Sequence, residues 1–433
     1  MEVDVPFSNY QILDQQSVLS FVSEIPSLTP YLGGTLAGWQ ACEVGDGNVN
    51  LVFAVQGPAG SLCLKQALPF VRMVGESWPL TVERAFFEYQ CLEEHRRHVP
   101  DLLPKIYYYD PKMRVIVMEY LHPHLILLKG MMAGIRYPRL AEDISEYLAR
   151  TLFYTSSFGM PAAEKKRKMA LFCGNTELCR IMEDVIFTDP YHIHVRNRWT
   201  SPQLDSVAAE FREDVQLKIA ASRLKLAYMT KTEALIHGDL HTGSIMVTPE
   251  NTRVIDHEFA FYGPMGFDIG AVIGNLLLNY FSQEGYTGPS DSRGDYQEWL
   301  LDTVECIWLQ FQSKFIALWE SNNEIEVYPP ALFDDAANRL ALAEERRRWL
   351  RECFEETMGY CGAKIIRRIL GQAHGRDMEQ IEDPDLRASC ELPCLRLARE
   401  MMVNARAYKS IREVTMFCRE LRQEGLRLVA TRT

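Results

Sequence analysis

Apolar residues in the first part of the chain fall in short runs broken by glycine and proline. Beyond about residue 120 they recur at helical spacing to the end. Residues Asp14 to Ile25 carry a short amphipathic stretch of helical period. Ala41–Val44 then reads as a strand, Gly45-Asp46-Gly47-Asn48-Val49-Asn50 as a tight glycine turn, and Leu51–Val55 as the returning strand. Gly57-Pro58-Ala59-Gly60 turns the chain again, and Ser61–Gln66 makes a third strand that carries Lys65. Strands joined by such tight turns predict the start of an antiparallel meander. Pro69–Pro79 reads as irregular and Thr81–Arg97 as a helix rich in Glu and Arg. Lys105–Asp110 and Arg114–Met118 read as further strands, turned at Asp110-Pro111-Lys112-Met113. The change of texture after Glu119 sets the expected division of an α+β chain: a β-rich N-lobe over residues 1–119 and a mostly helical C-lobe over 120–433. No low-complexity linker or internal repeat is visible.

Composition bounds the reading. A chain of 433 residues with 47% hydrophobic content can build two cores. A net charge of −12 makes a poor general nucleic-acid binder, because neutralising phosphates needs a surplus of Lys and Arg. The start, Met1-Glu2-Val3-Asp4-Val5-Pro6, lacks the basic and apolar regions of a signal peptide. The longest apolar run, Phe267 to Phe281, is short for a membrane span and carries Asp268 and Asn275, so a buried helix is expected. Neither nucleic acid nor membrane is an expected partner. Eleven cysteines, with Cys390 and Cys394 the closest pair, show no zinc spacing, and a reduced cytoplasmic protein is the simplest account.

Candidate chemistry concentrates in Ile236–Val247 and Ile255–Phe259. Asp239, in the turn His237-Gly238-Asp239-Leu240, is placed to accept a proton from a substrate hydroxyl; the plain alternative is an Asp that caps its turn. Asp256 and Glu258 are one residue apart, so in an extended segment both side chains project to one side. Two such carboxylates suit magnesium. Ser244, five residues after Asp239, stands where protein kinases keep an Asn for a second metal, so Glu258 is expected to supply the missing charge. His257 would then point away. A catalytic Asp, a short strand and metal carboxylates follow one another in phosphotransferases of the protein-kinase-like fold.

Other residues gain meaning from that pair of motifs. The amides of the glycine turn can donate to phosphates, although such turns also join ordinary hairpins. Its members Gly45, Asp46, Gly47, Asn48 and Asn50 are expected at the nucleotide, with Asn50 where a third glycine would stand. Lys65 can reach α- and β-phosphates, held by Glu88 or Glu83, with Glu88 preferred. Glu119 and Tyr120 mark the switch between textures, where backbone groups face an adenine base. Asp268 reads as a helix cap that braces the catalytic loop. Arg346-Arg347-Arg348 follows Glu344-Glu345 and reads as a solvated face. Arg367-Arg368 has apolar flanks, and buried arginines need an anionic or hydroxylated partner. Substrate and internal salt bridge are equal readings of that pair. His122/His124 and His192/His194 have no Cys or His neighbour at zinc spacing.

Several segments together resemble the 5-methylthioribose kinases of methionine salvage, in their plant form. They are Gly45–Asn50, Leu64–Pro69, Gly75-Glu76-Ser77-Trp78-Pro79-Leu80, His237–Met246, Asp256–Pro264 and Arg367-Arg368. The His-Gly-Asp-Leu block alone marks only the wider superfamily with choline, homoserine and aminoglycoside kinases. The resemblance implies a bilobal protein-kinase-like fold, ATP and Mg²⁺, and phosphorylation of the anomeric hydroxyl of 5-methylthioribose to the 1-phosphate. It implies Asp239 as base, Asp256 and Glu258 as metal ligands, and Ser244 and Trp78 near the nucleotide. Asn48, Asp239, Arg367 and Arg368 would face the sugar, the two arginines also stabilising charge on the transferred phosphoryl group. A homodimer is expected by the same analogy. The rivals are another small-molecule kinase of this fold and a nucleotide-binding pseudokinase. Twin guanidinium groups argue against a cationic acceptor, and the intact set Lys65, Asp239, Asp256 and Glu258 argues against a pseudokinase. After about residue 375 no usable motif appears.

Overall fold

The structure, a computed structural model, describes residues 10–44, 49–72, 75–288 and 292–430. The chain divides into two compact units. The first holds the chain up to His124 together with Asn175–Leu178 and Arg253–Ala260; the second holds the remainder. The cut thus falls after His124 instead of Glu119. The first unit also takes in Arg253–Ala260, the segment carrying Asp256 and Glu258, which packs on the Arg84–Arg96 helix. A division drawn along the sequence cannot capture such a return.

The first unit is built on a five-stranded antiparallel sheet: β1 (Gln40–Glu43), β2 (Asn50–Gly57), β3 (Gly60–Ala67), then β7 (Val115–Glu119) and β6 (Ile106–Asp110). It begins as a meander, with Gly57 opposite Gly60 across a two-residue turn and Val52 opposite Lys65. β3 then pairs with β7, so the chain crosses over before the last two strands. The stretch read as irregular contains a small hairpin of β4 (Phe70–Val71) and β5 (Gly75–Pro79). Its register shifts at Phe70/Val71, and so short an irregular pair leaves no alternation to read.

Alternation along β3 decides where the lysine goes. Leu62 and Leu64 join Phe53, Val55, Val115 and Val117 in a core closed by Val18, Val22, Leu28 and Leu32. Each such side chain contributes about 1.5–3 kcal/mol on burial. Ala67 packs with Val82 and Ala85 on the opposite face, and Lys65 shares that face by period two.

The second unit is mainly helical. At its centre lies the Met265–Ser282 helix, every residue of which is buried, as the apolar run predicts. Gly266, Gly270 and Gly274 recur every fourth residue against the long Ala336–Leu370 helix. A Cβ on Gly270 would sit 2.6 Å from the Thr357 carbonyl oxygen, and one on Gly274 3.1 Å from that of Cys361. The two helices therefore approach backbone to backbone. Short strands Ala234–Ile236 and Phe261–Gly263 pair antiparallel, as do Leu125–Ile126 and Ile245–Val247. They pin both ends of the loop from His237 to Ser244. Among the described residues no disulfide is formed, and no helix is long and apolar enough to cross a membrane.

Candidate active site

In the first unit, Lys65 sits among carboxylates. Its ammonium lies 2.8 Å from Glu88 Oε1 and also pairs with Asp256. Of the two glutamates weighed for it, Glu83 instead pairs with Arg114. Burial alone would push the Lys65 ammonium down, but Asp256, Glu88 and Glu258 outweigh it and hold the group above the usual lysine range. Burial raises Glu88 to about 7 against the pull of Lys65.

The Asp256 segment is not extended. Asp256 adopts a left-handed backbone, φ 74° and ψ 47°, and His257–Phe259 forms a single 3₁₀ turn. Period-two reasoning therefore fails for this pair. The Asp256 side chain keeps 42% of its surface exposed, whereas that of Glu258 keeps 3%. Glu258 Oε2 accepts from Arg84 Nε at 3.0 Å and from Asn50 Nδ2 at 2.9 Å. Asn50 in turn accepts from Arg84 Nη2 at 2.8 Å, and Asn175 donates to the Glu258 carbonyl at 2.9 Å. Asn50, expected at the nucleotide, thus spends its side chain bracing Glu258. The local charges (Asp256, Glu258 and Glu88 against Lys65 and Arg84) leave one negative charge in excess. Hard oxygen donors, one of them accessible, with surplus negative charge, fit a Mg²⁺ ion. His257 is fully buried, its ring edge-on to His95 with centroids 5.5 Å apart.

In the second unit the loop around Asp239 is held by its backbone. Gly238 has φ +82°, a conformation glycine adopts freely. Asp268 Oδ2 accepts from the His237 amide at 2.6 Å and Oδ1 from the Gly238 amide at 3.0 Å. Asp268 lies inside the first turn of its helix and braces the loop that carries Asp239 instead of capping that helix. Burial raises its carboxyl to about 6, with the two amides pulling it down.

Asp239 meets three cationic or imidazole groups. Lys364 Nζ donates to Oδ1 at 2.8 Å, Arg367 Nη1 lies 3.9 Å from the same oxygen, and His241 Nε2 is 3.4 Å from Oδ2. Burial would raise the Asp239 carboxyl, but Lys364, His241 and Arg367 overcome it and hold it well below the usual range. His241 Nδ1 accepts from the Gly243 amide at 2.8 Å, which leaves the proton of the neutral ring on Nε2, facing Asp239. Burial lowers the His241 pKa. Arg367 is buried, and its Nε and Nη1 have no hydrogen-bond partner among the described residues. Arg368 is half-buried, with Nη1 on the Ala373 carbonyl at 2.7 Å and Nε without a hydrogen-bond partner among the described residues. Unmet guanidinium donors beside a carboxylate can receive hydroxyls or phosphoryl oxygens.

Gly45, Asp46, Gly47 and Asn48 lie outside the described residues. Trp78 is half-buried in β5. Glu119 ends β7 and its Oε2 accepts from the Lys105 amide at 3.2 Å; the Tyr120 ring lies parallel to that of His122. Ser244 is buried, its hydroxyl donating to the Asp239 carbonyl at 3.3 Å. Arg347 and Arg348 pair with Glu344 and Glu345 on their own helix and are exposed, as a solvated face requires; Arg346 instead turns inward, crossing to Glu320 on the Gly294–Ser321 helix and lying over the Trp319 ring. His122/His124 and His192/His194 form no metal-ligand cluster among the described residues; Cys91, His95 and His257 do approach one another within 4.8 Å. Arg84 and Lys364 were not read from the sequence. Each had a signal: Arg84 precedes Glu88 by four residues, and Lys364 precedes Arg367 by three, so each shares a helix face with a named residue.

Comparison with known proteins adds a lineage to this geometry. Residues 40–302 match the family described as phosphotransferase enzyme family. Methylthioribose kinase 1 of Oryza sativa subsp. japonica is 45% identical over 408 residues, 94% of each chain. Methylthioribose kinase of Escherichia coli O45:K1 (strain S88 / ExPEC) is 44% identical over 410 residues, 94% of this chain and 97% of its own. Overall identity does not separate plant from bacterial relatives. Among solved structures, a choline kinase from Cryptosporidium parvum Iowa II superposes with a TM-score of 0.42 at 12% identity, over 88% of this chain and 96% of that one.

Proposed function

Because the chain belongs to the methylthioribose kinases, within the phosphotransferase enzyme family, we propose that it transfers the γ-phosphoryl group of ATP to the anomeric hydroxyl of 5-methylthioribose, giving 5-methylthioribose 1-phosphate and ADP. The observation that carries the chemistry is Asp239, buried yet kept ionised, beside the unmet donors of Arg367. The acceptor oxygen bonds to the γ-phosphorus as the bond to the β-phosphate oxygen breaks; ADP leaves with that electron pair, and Asp239 takes the hydroxyl proton. Arg367 and Arg368 donate to the sugar and to the oxygens of the moving phosphoryl group. Lys65, held by Glu88, reaches the α- and β-phosphates. Asp256 and Glu258 would hold Mg²⁺, with Arg84 and Asn50 fixing Glu258 Oε2 and leaving Oε1 as its remaining donor. When bound, the ion offsets charge on the phosphates. Ser244 keeps the Asp239 loop in shape. The glycine turn and the Glu119–Tyr120 backbone take the nucleotide in this reading.

The domain roles follow: the β-rich part serves the nucleotide and the helical part the sugar. A cytoplasmic homodimer, with neither nucleic acid nor membrane as partner, completes the proposal. The net charge of −12 supports the exclusion of nucleic acid, whose phosphates need a surplus of Lys and Arg to neutralise them.

The test is ADP release with Mg²⁺-ATP and methylthioribose, run beside ribose, choline, homoserine and an aminoglycoside. Turnover on methylthioribose alone is expected, and Asp239→Ala should lower it by roughly 10²–10⁴. Preferred turnover of another acceptor would keep the chemistry and discard the substrate.

A further inference from the structure

The twin arginine and the His-Gly-Asp-Leu turn leave one buried cation unexplained. Lys364 is 1% exposed. An ammonium at such depth persists when paired and is costly otherwise. Its Nζ meets Asp239 Oδ1 at 2.8 Å on one side, and on the other stands over the Phe267 ring, 4.4 Å from the centroid. Phe267 adjoins Asp268, which holds the loop's amides. Two neighbouring residues of one buried helix thus fix both the loop and the cation that meets it.

We propose that Lys364 is a positioning residue for phosphoryl transfer: it clamps Asp239 through Oδ1 and so presents Oδ2 to the acceptor hydroxyl. The assignment rests on the kinase reading above. The two oxygens are unequal in the structure. Oδ1 faces Lys364 and, farther off, Arg367, both cations; Oδ2 faces His241 Nε2 at 3.4 Å. A proton arriving on Oδ1 would meet two positive charges, whereas Oδ2 lies beside an imidazole whose pKa burial lowers. The clamp also removes rotation about the carboxylate, which preorganises the base before substrate arrives.

The charges facing this pair come from several elements. Arg367 and Arg368 lie on the same helix as Lys364, His241 on the loop, Asp268 on the Met265–Ser282 helix, and Tyr228 on the Val215–Thr230 helix. Burial lowers Lys364 to about 8, with Asp239 pulling it up. Removing this cation deletes the largest downward pull on Asp239, so its carboxyl must rise. Turnover requires the ionised carboxylate, so the acid limb of kcat then moves to higher pH.

The experiment compares the full-length wild type with Lys364→Met, Lys364→Gln and Lys364→Arg across the pH range, using Mg²⁺-ATP and methylthioribose. For Met and Gln, kcat should fall roughly 10- to 100-fold with the KM for Mg²⁺-ATP nearly unchanged. The acid limb should move up by about one pH unit or more. Arg, which keeps the charge, should leave the limb in place. If the Met variant fails to fold, the Gln variant, of similar length and with an N–H donor, carries the test. Wild-type kcat and an unmoved limb in a folded variant would overturn the assignment. A fall in kcat without movement of the limb would reduce Lys364 to a structural role and overturn it too. Carbon-13 NMR titration of the Asp239 carboxyl, assigned with Asp239→Asn, reads the same rise without substrate. A wild type inactive on methylthioribose thus defeats the substrate reading while the titration still decides on Lys364.

Discussion

At the scale of single residues, local motifs and distant partners were unequally legible. Asp239 stands out in its own turn because the chemistry lies within four consecutive residues. Glu258 was legible as a carboxylate but not in its setting. The left-handed backbone at Asp256 belongs to a conformation that non-glycine residues seldom adopt, at a cost of about 1–3 kcal/mol. Asp is one of the few side chains that visit this region, but the type alone is too common elsewhere to announce it. Its consequence is that Glu258 turns toward Arg84, 34 residues from Asn50 and 174 from Glu258 in sequence. Replacing Arg84 by Met strands a buried carboxylate, and a loss of about 3–5 kcal/mol is expected in denaturant unfolding. Glu258→Gln keeps much of the shape and removes the charge. It should depress turnover across a Mg²⁺ titration by far more than it lowers stability; activity within a few-fold of the parent throughout would exclude Glu258 as a metal ligand.

Secondary-structure elements carry the next level. The buried Met265–Ser282 helix was legible because an apolar run interrupted by single polar residues has few other destinations. The β4–β5 hairpin was not, since its pairing is short and shifts register. The glycines at 266, 270 and 274 acquire meaning once the partner helix is in place, because their function is the absence of a side chain. Gly270→Ala puts a Cβ 2.6 Å from a backbone oxygen that cannot move alone. A cost of about 1–3 kcal/mol is expected from overpacking, read by thermal or denaturant unfolding. The helices it separates carry Asp268 and Lys364, so kcat should fall as well. An unchanged midpoint would mean that the helices slide apart freely.

For the molecule as a whole, two units with separate cores divide the candidate residues: Lys65, Glu88, Asp256 and Glu258 lie on the sheet-based unit, Asp239 with Lys364 and Arg367 on the helical one, and the proposed roles divide with them. Nucleotide should therefore stabilise the chain in a metal-dependent way. At about 100 times the dissociation constant, binding to the native state adds about 2.7 kcal/mol. Thermal unfolding with Mg²⁺-ATP should accordingly move up by several degrees and fall back when EDTA is added with ATP retained. The same shift with and without metal would argue against Asp256 and Glu258 as ligands. The sequence alone determined the β-rich start and the helical remainder, the buried apolar helix, the His237–Leu240 turn as a candidate site and the family, because each of these is written in contiguous residues or in a short period. Tertiary structure decided what Lys65 pairs with, that Arg84 and Asn50 fix Glu258, and that Lys364 reaches Asp239 from 125 residues away. Such partners are selected by burial and charge balance among segments that meet only on folding, and no local pattern specifies them.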